Sequence, residues 1–258
     1  LHFEISDTKT EATINPQLFG LSIPDHIPPV ISAMYVYRLN NEAFSEFTPK
    51  QYFQVSGANG RYKLNAGSTI SAMGEIGFGI SVSDRHNGAS GNNGVYSIQL
   101  EVDGKPVYTS ALEKFSFENS KAINSHIDYP AFISSKQRIQ KSFVDPGNPL
   151  QIYYQLVNKG RIQLNDQATH EVKYMVSDAS GNQSILEFKV QGNAASAIAR
   201  KAQAQGMLFP YGQENSFSNA DVSVKIPKGS LYDNLNFVYK TLPKPATNAY
   251  SAIHQIHN

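Results

Sequence analysis

The sequence predicts an all-β protein, an antiparallel Ig-like β-sandwich with flanking partial β segments. Three observations point there. Short apolar runs alternate with polar residues at period two along most of the chain. Turn-forming residues punctuate these runs, with 18 glycines and 13 prolines spread over the chain. Tyr and Phe, which suit a pleated half-buried surface, number 14 each.

Residues 1–5 alternate Leu1, Phe3 and Ile5 with His2 and Glu4, so His2 and Glu4 share a polar strand face. Asn15-Pro16-Gln17-Leu18-Phe19-Gly20 predicts one helical turn set by a proline and closed by a glycine. Asp25-His26-Ile27-Pro28-Pro29 follows. Its double proline cannot donate to a ladder, so it reads as a linker into a new domain. Residues 31–38 alternate weakly. Ile76, Phe78, Ile80 and Val82 share one face of the next strand. Residues 95–102 alternate over eight positions, with Tyr96, Ile98, Leu100 and Val102 inward. Asp103-Gly104 then signals a two-residue hairpin, because both central residues need positive φ. Pro106 in the return strand predicts an edge or a short partner.

Residues 110–140 are irregular and read as an insertion, with a helical turn near 122–129. Further strands are expected at 150–157, 161–164, 170–177 and 183–190. The last two are joined by Asp178-Ala179-Ser180-Gly181-Asn182, where Asp bonds its own downstream backbone. The Ala-rich stretch 193–206 has Ile198 as its only large aliphatic residue and reads as a short exposed helix or linker. Val222, Val224 and Ile226, then Leu235, Phe237 and Tyr239, start a second β module. The segment from 28 to 192 is oversized against an Ig-like module of about 100 residues. Two smaller sandwiches are the alternative division.

At 258 residues, 40% hydrophobic and 17% charged, the chain is expected to bury a packed core. A net charge of +1 gives no electrostatic footprint for nucleic acid. Without a run of 18 apolar residues, no membrane span is expected. Cysteine is absent, which excludes disulfides and thiolate chemistry. Leu1 opens neither a signal peptide nor a Met start, so the chain reads as a processed or excised piece.

Histidine and loop residues supply the candidate chemistry. Two imidazoles in an H-x-H strand would share a face and a zinc ion, but only His2 occupies that pattern, and a metal needs three or four ligands. His254 and His257 have the spacing of a helical pair, or belong to a strand or tail. His26, His86, His126 and His170 are scattered, with solvated imidazoles as the default. The loop from Asp84 to Gly94 is rich in oxygen ligands, which suggests calcium, yet it lacks a bidentate acid at the right spacing and reads as a solvated hairpin loop. Tyr35, Tyr37, Tyr153 and Tyr154 would stack on sugars if exposed, but read as amphipathic strand residues. Gly74-Glu75-Ile76-Gly77-Phe78-Gly79 is a Gly-rich strand in which small residues admit close packing. There is no G-x-S-x-G elbow, P-loop or G-x-G-x-x-G motif.

Leu1-His2-Phe3-Glu4-Ile5, followed by Asn15-Pro16 and Leu18-Phe19-Gly20, resembles the end of the lysostaphin-type (LytM-like) zinc endopeptidase domain. Those enzymes cut peptide cross-links in peptidoglycan, and their last core motif reads H-L-H-F-E-hydrophobic. The resemblance implies that His2 is a zinc ligand. The preceding His, which assists proton transfer, and the upstream H-x-x-x-D ligand pair are not in this sequence. Residues 94–108, 115–129, 143–150 and 174–188 are similar to β-sandwich extensions of such peptidases in Gram-negative bacteria. Residues 222–237 would begin a second extension.

These readings set the expectations. Residues 1–24 would be the end of a peptidase domain, 25–192 the sandwich, 193–207 a linker and 208–258 the start of a second β domain. The chain would be the non-catalytic part of a secreted zinc metalloendopeptidase, in the periplasm or outside the cell. It would work with a preceding peptidase domain on cell-wall peptidoglycan or envelope proteins. Zinc would belong to the parent enzyme, with none held by this chain alone. The alternative is a non-enzymatic Ig-like module of an envelope assembly.

Overall fold

The computed structural model describes residues 4–21, 23–65, 67, 69–196, 206–244 and 250–257. The chain is all-β, with 46% strand and 10% helix. It divides into two compact units, Leu1–Val144 with Asn148–Arg200, and Asp145–Gly147 with Lys201–Asn258.

The first unit opens with two short strands, β1 (Ile5–Ser6) and β2 (Thr13–Ile14), paired antiparallel. The turn after β2 forms as the sequence predicts. Asn15 caps it by accepting from the Gln17 N–H, Pro16 opens the 3-10 turn, and Gly20 closes it at φ 82°. The sandwich strands follow: β3 (Val30–Arg38), β4 (Lys50–Ala58), β5 (Arg61–Leu64), β6 (Thr69–Ala72), β7 (Gly74–Ser83), β8 (Ser97–Val102) and β9 (Lys105–Ala111). Next come β10 (Lys114–Phe115), the helices α1 (Ile123–His126) and α2 (Tyr129–Ser135), and β11 (Gln140–Lys141). The unit ends with β12 (Tyr153–Leu156), β13 (Ile162–Leu164), β14 (Thr169–Ser177) and β15 (Gln183–Gly192).

Apart from β1, β2 and β10, these strands form one continuous sheet that folds over itself. β4 makes the corner. Its first half pairs with β3, its second half with β5. On one side lie β11, β13, β7 and β3; on the other lie β5, β6, β15, β14, β8, β9 and β12. The inner faces share one core. Met34, Val36, Ile76, Phe78 and Ile80 from the first layer cluster with Ile98, Leu100, Val172, Tyr174, Leu186 and Phe188 from the second. Phe78 meets Phe188 edge to face at 5.4 Å between ring centroids.

The 110–140 insertion has a structural purpose. Ala131, Ile139 and Phe143 pack on Ala33, Tyr35, Tyr37 and Leu39, on the outer face of the first layer. β3 and β7 are therefore buried on both faces, and this is why β3 alternates only weakly. It also explains the glycines of β7. The Phe143 ring lies where a Cβ on Gly77 would project, and Tyr37 comes within 2.9 Å of such a position on Gly79.

Several elements depart from the sequence expectation. Residues 39–73, which the pattern assigns to no strand, carry β4, β5 and β6. Not every pairing is antiparallel: β15 pairs parallel with β5 and β6. β9 is not an edge strand, since it lies between β8 and β12. Pro106 is tolerated because pairing with the 153–157 segment has ended by Val107, whose carbonyl accepts from the Val157 N–H. Asp103 and Gly104 take positive φ, 50° and 72°, as the hairpin requires. In the 193–206 stretch, Ala194–Ser196 is a 3-10 turn, and 197–205 lies outside the described residues.

The second unit contains β16 (Met207–Phe209), β17 (Asn215–Ser218), β18 (Ser223–Ile226), β19 (Leu235–Leu242) and β20 (Ile253–His257). β19 pairs with β16 and β20, and β17 pairs with β18. Its core is aromatic. Phe209 stacks on Phe237 at 4.5 Å, and Phe217 packs against both Phe237 and Tyr239. The Gly147 N–H donates to the Tyr232 carbonyl at 2.7 Å, joining the 145–147 turn to this unit.

Candidate metal centre

Three segments far apart in sequence converge at one end of the sandwich. Asp25 lies in the linker into β3, where its Oδ1 accepts from the Ile27 N–H at 3.1 Å. Asp84 closes β7 and is bridged by two backbone hydrogen bonds to Asn93, which holds the 85–92 loop shut at its neck. His86 stands two residues into that loop. One carboxylate oxygen from each of Asp25 and Asp84 and one ring nitrogen of His86 lie within 4.8 Å of one another.

The turn between β14 and β15 supports this cluster. Asp178 Oδ1 accepts from the N–H groups of Ser180 and Asn182, both at 2.9 Å. The Asn182 side-chain amide donates to Asp178 Oδ2 at 2.7 Å and to the Asp25 carbonyl at 3.2 Å. The Asn87 side chain accepts from the His26 N–H at 3.3 Å, which ties the loop to the linker a second time. The His86 ring sits between the Gln17 amide, 2.9 Å from Nε2, and the Asn93 amide, 3.1 Å from Nδ1.

Electrostatically the cluster is unbalanced. Asp25, Asp84 and Asp178 are all buried, with 5%, 4% and 4% of their surface exposed. Among the described residues none of them forms a salt bridge with Lys or Arg. Asp25 Oδ2 and Asp84 Oδ1 are buried with no hydrogen-bond partner. Burial raises the Asp84 carboxyl above its usual range, and the charges of Asp178 and Asp25 push it the same way.

The residues singled out from sequence are placed as follows. His2 lies outside the described residues, as do Leu1 and Phe3. His254 and His257 fall in strand β20, not on a helical turn, and His254 Nδ1 bonds the Tyr239 hydroxyl at 2.7 Å. Tyr35 and Tyr37 are buried and unavailable for stacking, while Tyr154 is exposed. His126 is buried between Tyr153 and Gln140 rather than solvated. His170 is held by Asp103 at 2.7 Å and Asp166 at 3.3 Å. The oxygen-rich loop was visible as a candidate ligand source, but its partners Asp25 and Asp178 read locally as linker and turn residues.

A separate feature of the first unit is an apolar cavity of about 480 Å³ beside β2 and β10. Ile14, Pro16, Leu112, Phe115, Ile123 and Leu150 line it. β10 completes the small sheet begun by β1 and β2, pairing Lys114 with Ile14 and Phe115 with Thr13. Asn15 adds two bonds to the same edge, its N–H to the Glu113 carbonyl at 2.7 Å and its side-chain amide to the Leu112 carbonyl at 3.4 Å.

Residues 206–258 match the Zu5-like domain family. That match covers most of the second unit and none of the first. No curated protein matches the chain.

Proposed function

We propose that this chain is the non-catalytic β-rich portion of a secreted zinc metalloendopeptidase of the lysostaphin type, and that it positions the peptidase on cell-wall peptidoglycan. One observation carries the reading. The segment with the peptidase-like signature is built into the sandwich unit: β2 pairs with β10, and Asn15 of the Asn-Pro turn bonds Leu112 and Glu113. A peptidase ending in this segment would be held in a defined register on the sandwich, not tethered by a flexible linker. His2 is the residue the resemblance assigns to zinc. A single imidazole does not meet the three protein ligands of a catalytic zinc, so no catalytic step is derived through this chain.

The test compares three proteins on purified peptidoglycan sacculi: this chain, the parent with its natural preceding sequence, and that parent carrying Phe115→Pro in β10. The parent releases soluble peptides, this chain releases none, and Phe115→Pro lowers the parent's release at least tenfold while its sandwich stays folded by circular dichroism. A parent that neither binds nor cuts sacculi overturns the reading and leaves the non-enzymatic envelope module.

A further inference from the structure

We infer that Asp25, Asp84 and His86 form a divalent-cation site that fastens the 25–29 linker and the 85–92 loop to the end of the sandwich. This is the opposite of the expectation that the chain alone holds no metal, and it does not depend on the peptidase reading.

Two independent observations support it. The first is geometric: three ligand atoms from two separate segments lie within 4.8 Å of one another. The second is the unmet valence. Asp25 Oδ2 and Asp84 Oδ1 belong to carboxylates at least nine-tenths buried, and neither oxygen has a partner among the described residues. A buried carboxylate oxygen with no donor and no cation is strongly disfavoured, and two buried carboxylates that approach within 4.8 Å also repel. A cation between them satisfies both oxygens. Asp178 adds negative potential from behind, but its own oxygens are already taken by Ser180 and Asn182. It acts as a supporting charge, not a ligand.

The donor set selects the ion. Calcium takes six to eight oxygens and has little use for an imidazole. Two carboxylates and one imidazole suit a borderline cation of the zinc class, with water in the remaining position. Each His86 ring nitrogen meets a side-chain amide, Gln17 at Nε2 and Asn93 at Nδ1, so one of these amides swings away when the ring takes up the ion, and the other continues to orient it.

The experiment uses the full chain, stripped with chelator and titrated with Zn²⁺, Mn²⁺, Ca²⁺ or Mg²⁺, with calorimetry for stoichiometry and thermal melting for stability. Zn²⁺ binds at one equivalent and raises the Tm. Asp84→Asn and Asp25→Asn each weaken binding at least tenfold, while His254→Ala leaves it unchanged. In the stripped protein Asp84→Asn melts no lower than the parent, because removing a charge relieves repulsion; this separates a ligand from a residue whose loss merely unfolds the site. A shift that survives Asp84→Asn, one abolished by His254→Ala, one produced by Ca²⁺ alone, or no shift at all overturns the inference.

Discussion

The Tyr37 hydroxyl donates to the Asp128 carboxylate at 2.9 Å, joining the outer face of β3 to the start of α2 across ninety-one residues of sequence. The same Asp128 oxygen takes a 2.6 Å ion pair from Lys50, and its other oxygen caps α2 through the Ala131 N–H. Asp128 thus anchors the insertion to two strands of the first layer. Asp128→Ala strands a buried tyrosine hydroxyl and an uncapped helix, and should cost about 3 kcal/mol. Urea unfolding at pH 7 reads this as a lower midpoint at unchanged slope, with Asp128→Asn losing less because its amide oxygen still caps the helix.

His126 makes stability pH-dependent in a definite direction. Burial pushes its pKa down to about 4, against about 6.5 in an unfolded chain. The unfolded state therefore takes up the proton first as pH falls. The contribution is complete above about 6.5 and is lost progressively toward 4, amounting to roughly 3 kcal/mol. Denaturation of wild type and His126→Leu at pH 7 and pH 4.5 isolates it, because the variant loses this part of the acid sensitivity. His170 runs the other way. Its bonds to Asp103 and Asp166 raise its pKa, so its contribution is present in acid and fades as pH rises through the folded value. The pair is partly exposed, which keeps that effect small.

Gly77 faces the Phe143 ring with no room for a side chain. Gly77→Val should destabilise by about 2 kcal/mol or more, as overpacking does. Pairing it with Phe143→Ala should recover part of that loss, since removing the ring opens the space. The double-mutant cycle by chemical denaturation gives the coupling, and purely additive costs would refute direct contact.

Gly104 takes φ 72° in the hairpin between β8 and β9. Gly104→Val places a β-branched residue in the left-handed region, with an expected cost of about 1–2 kcal/mol. Amide exchange should rise first at Val102 and Lys105, the pair that closes the turn.

Much of the β architecture was legible from local pattern. The face of β7 bearing Ile76, Phe78 and Ile80, the Asp103-Gly104 hairpin and the Asp178 turn all form as their residues predict. Each depends on neighbours within a few positions. Strands β4 to β6 went unassigned even though Asn59-Gly60 between β4 and β5 is itself a left-handed turn, with φ 51° and 78°. Their flanks alternate poorly because Lys50 to Ala58 passes from one layer to the other midway, so no single face is apolar throughout.

The carboxylate–histidine cluster is built by long-range contacts. Asp25, Asp84, His86 and Asp178 each stood in a recognisable turn or linker, but their meeting depends on the long-range pairing of β3 with β7 and of β15 with β5. No spacing rule reaches across 150 residues. The corresponding signal at the start of the sequence, His2, lies outside the described residues and suggests chemistry by resemblance alone.

The parallel pairing of β15 with β5 and β6 sets an order for synthesis. β5 and β6 are made early, yet the strand that covers them ends at Gly192. While the chain is still emerging, both keep open backbone edges and the inner layer has no lid, a state prone to joining a neighbour. Completion must wait for a contact more than one hundred residues away, which slows folding. The backbone groups of β5 and β6 that face β15 thus stay unpaired until the chain has been made as far as Gly192.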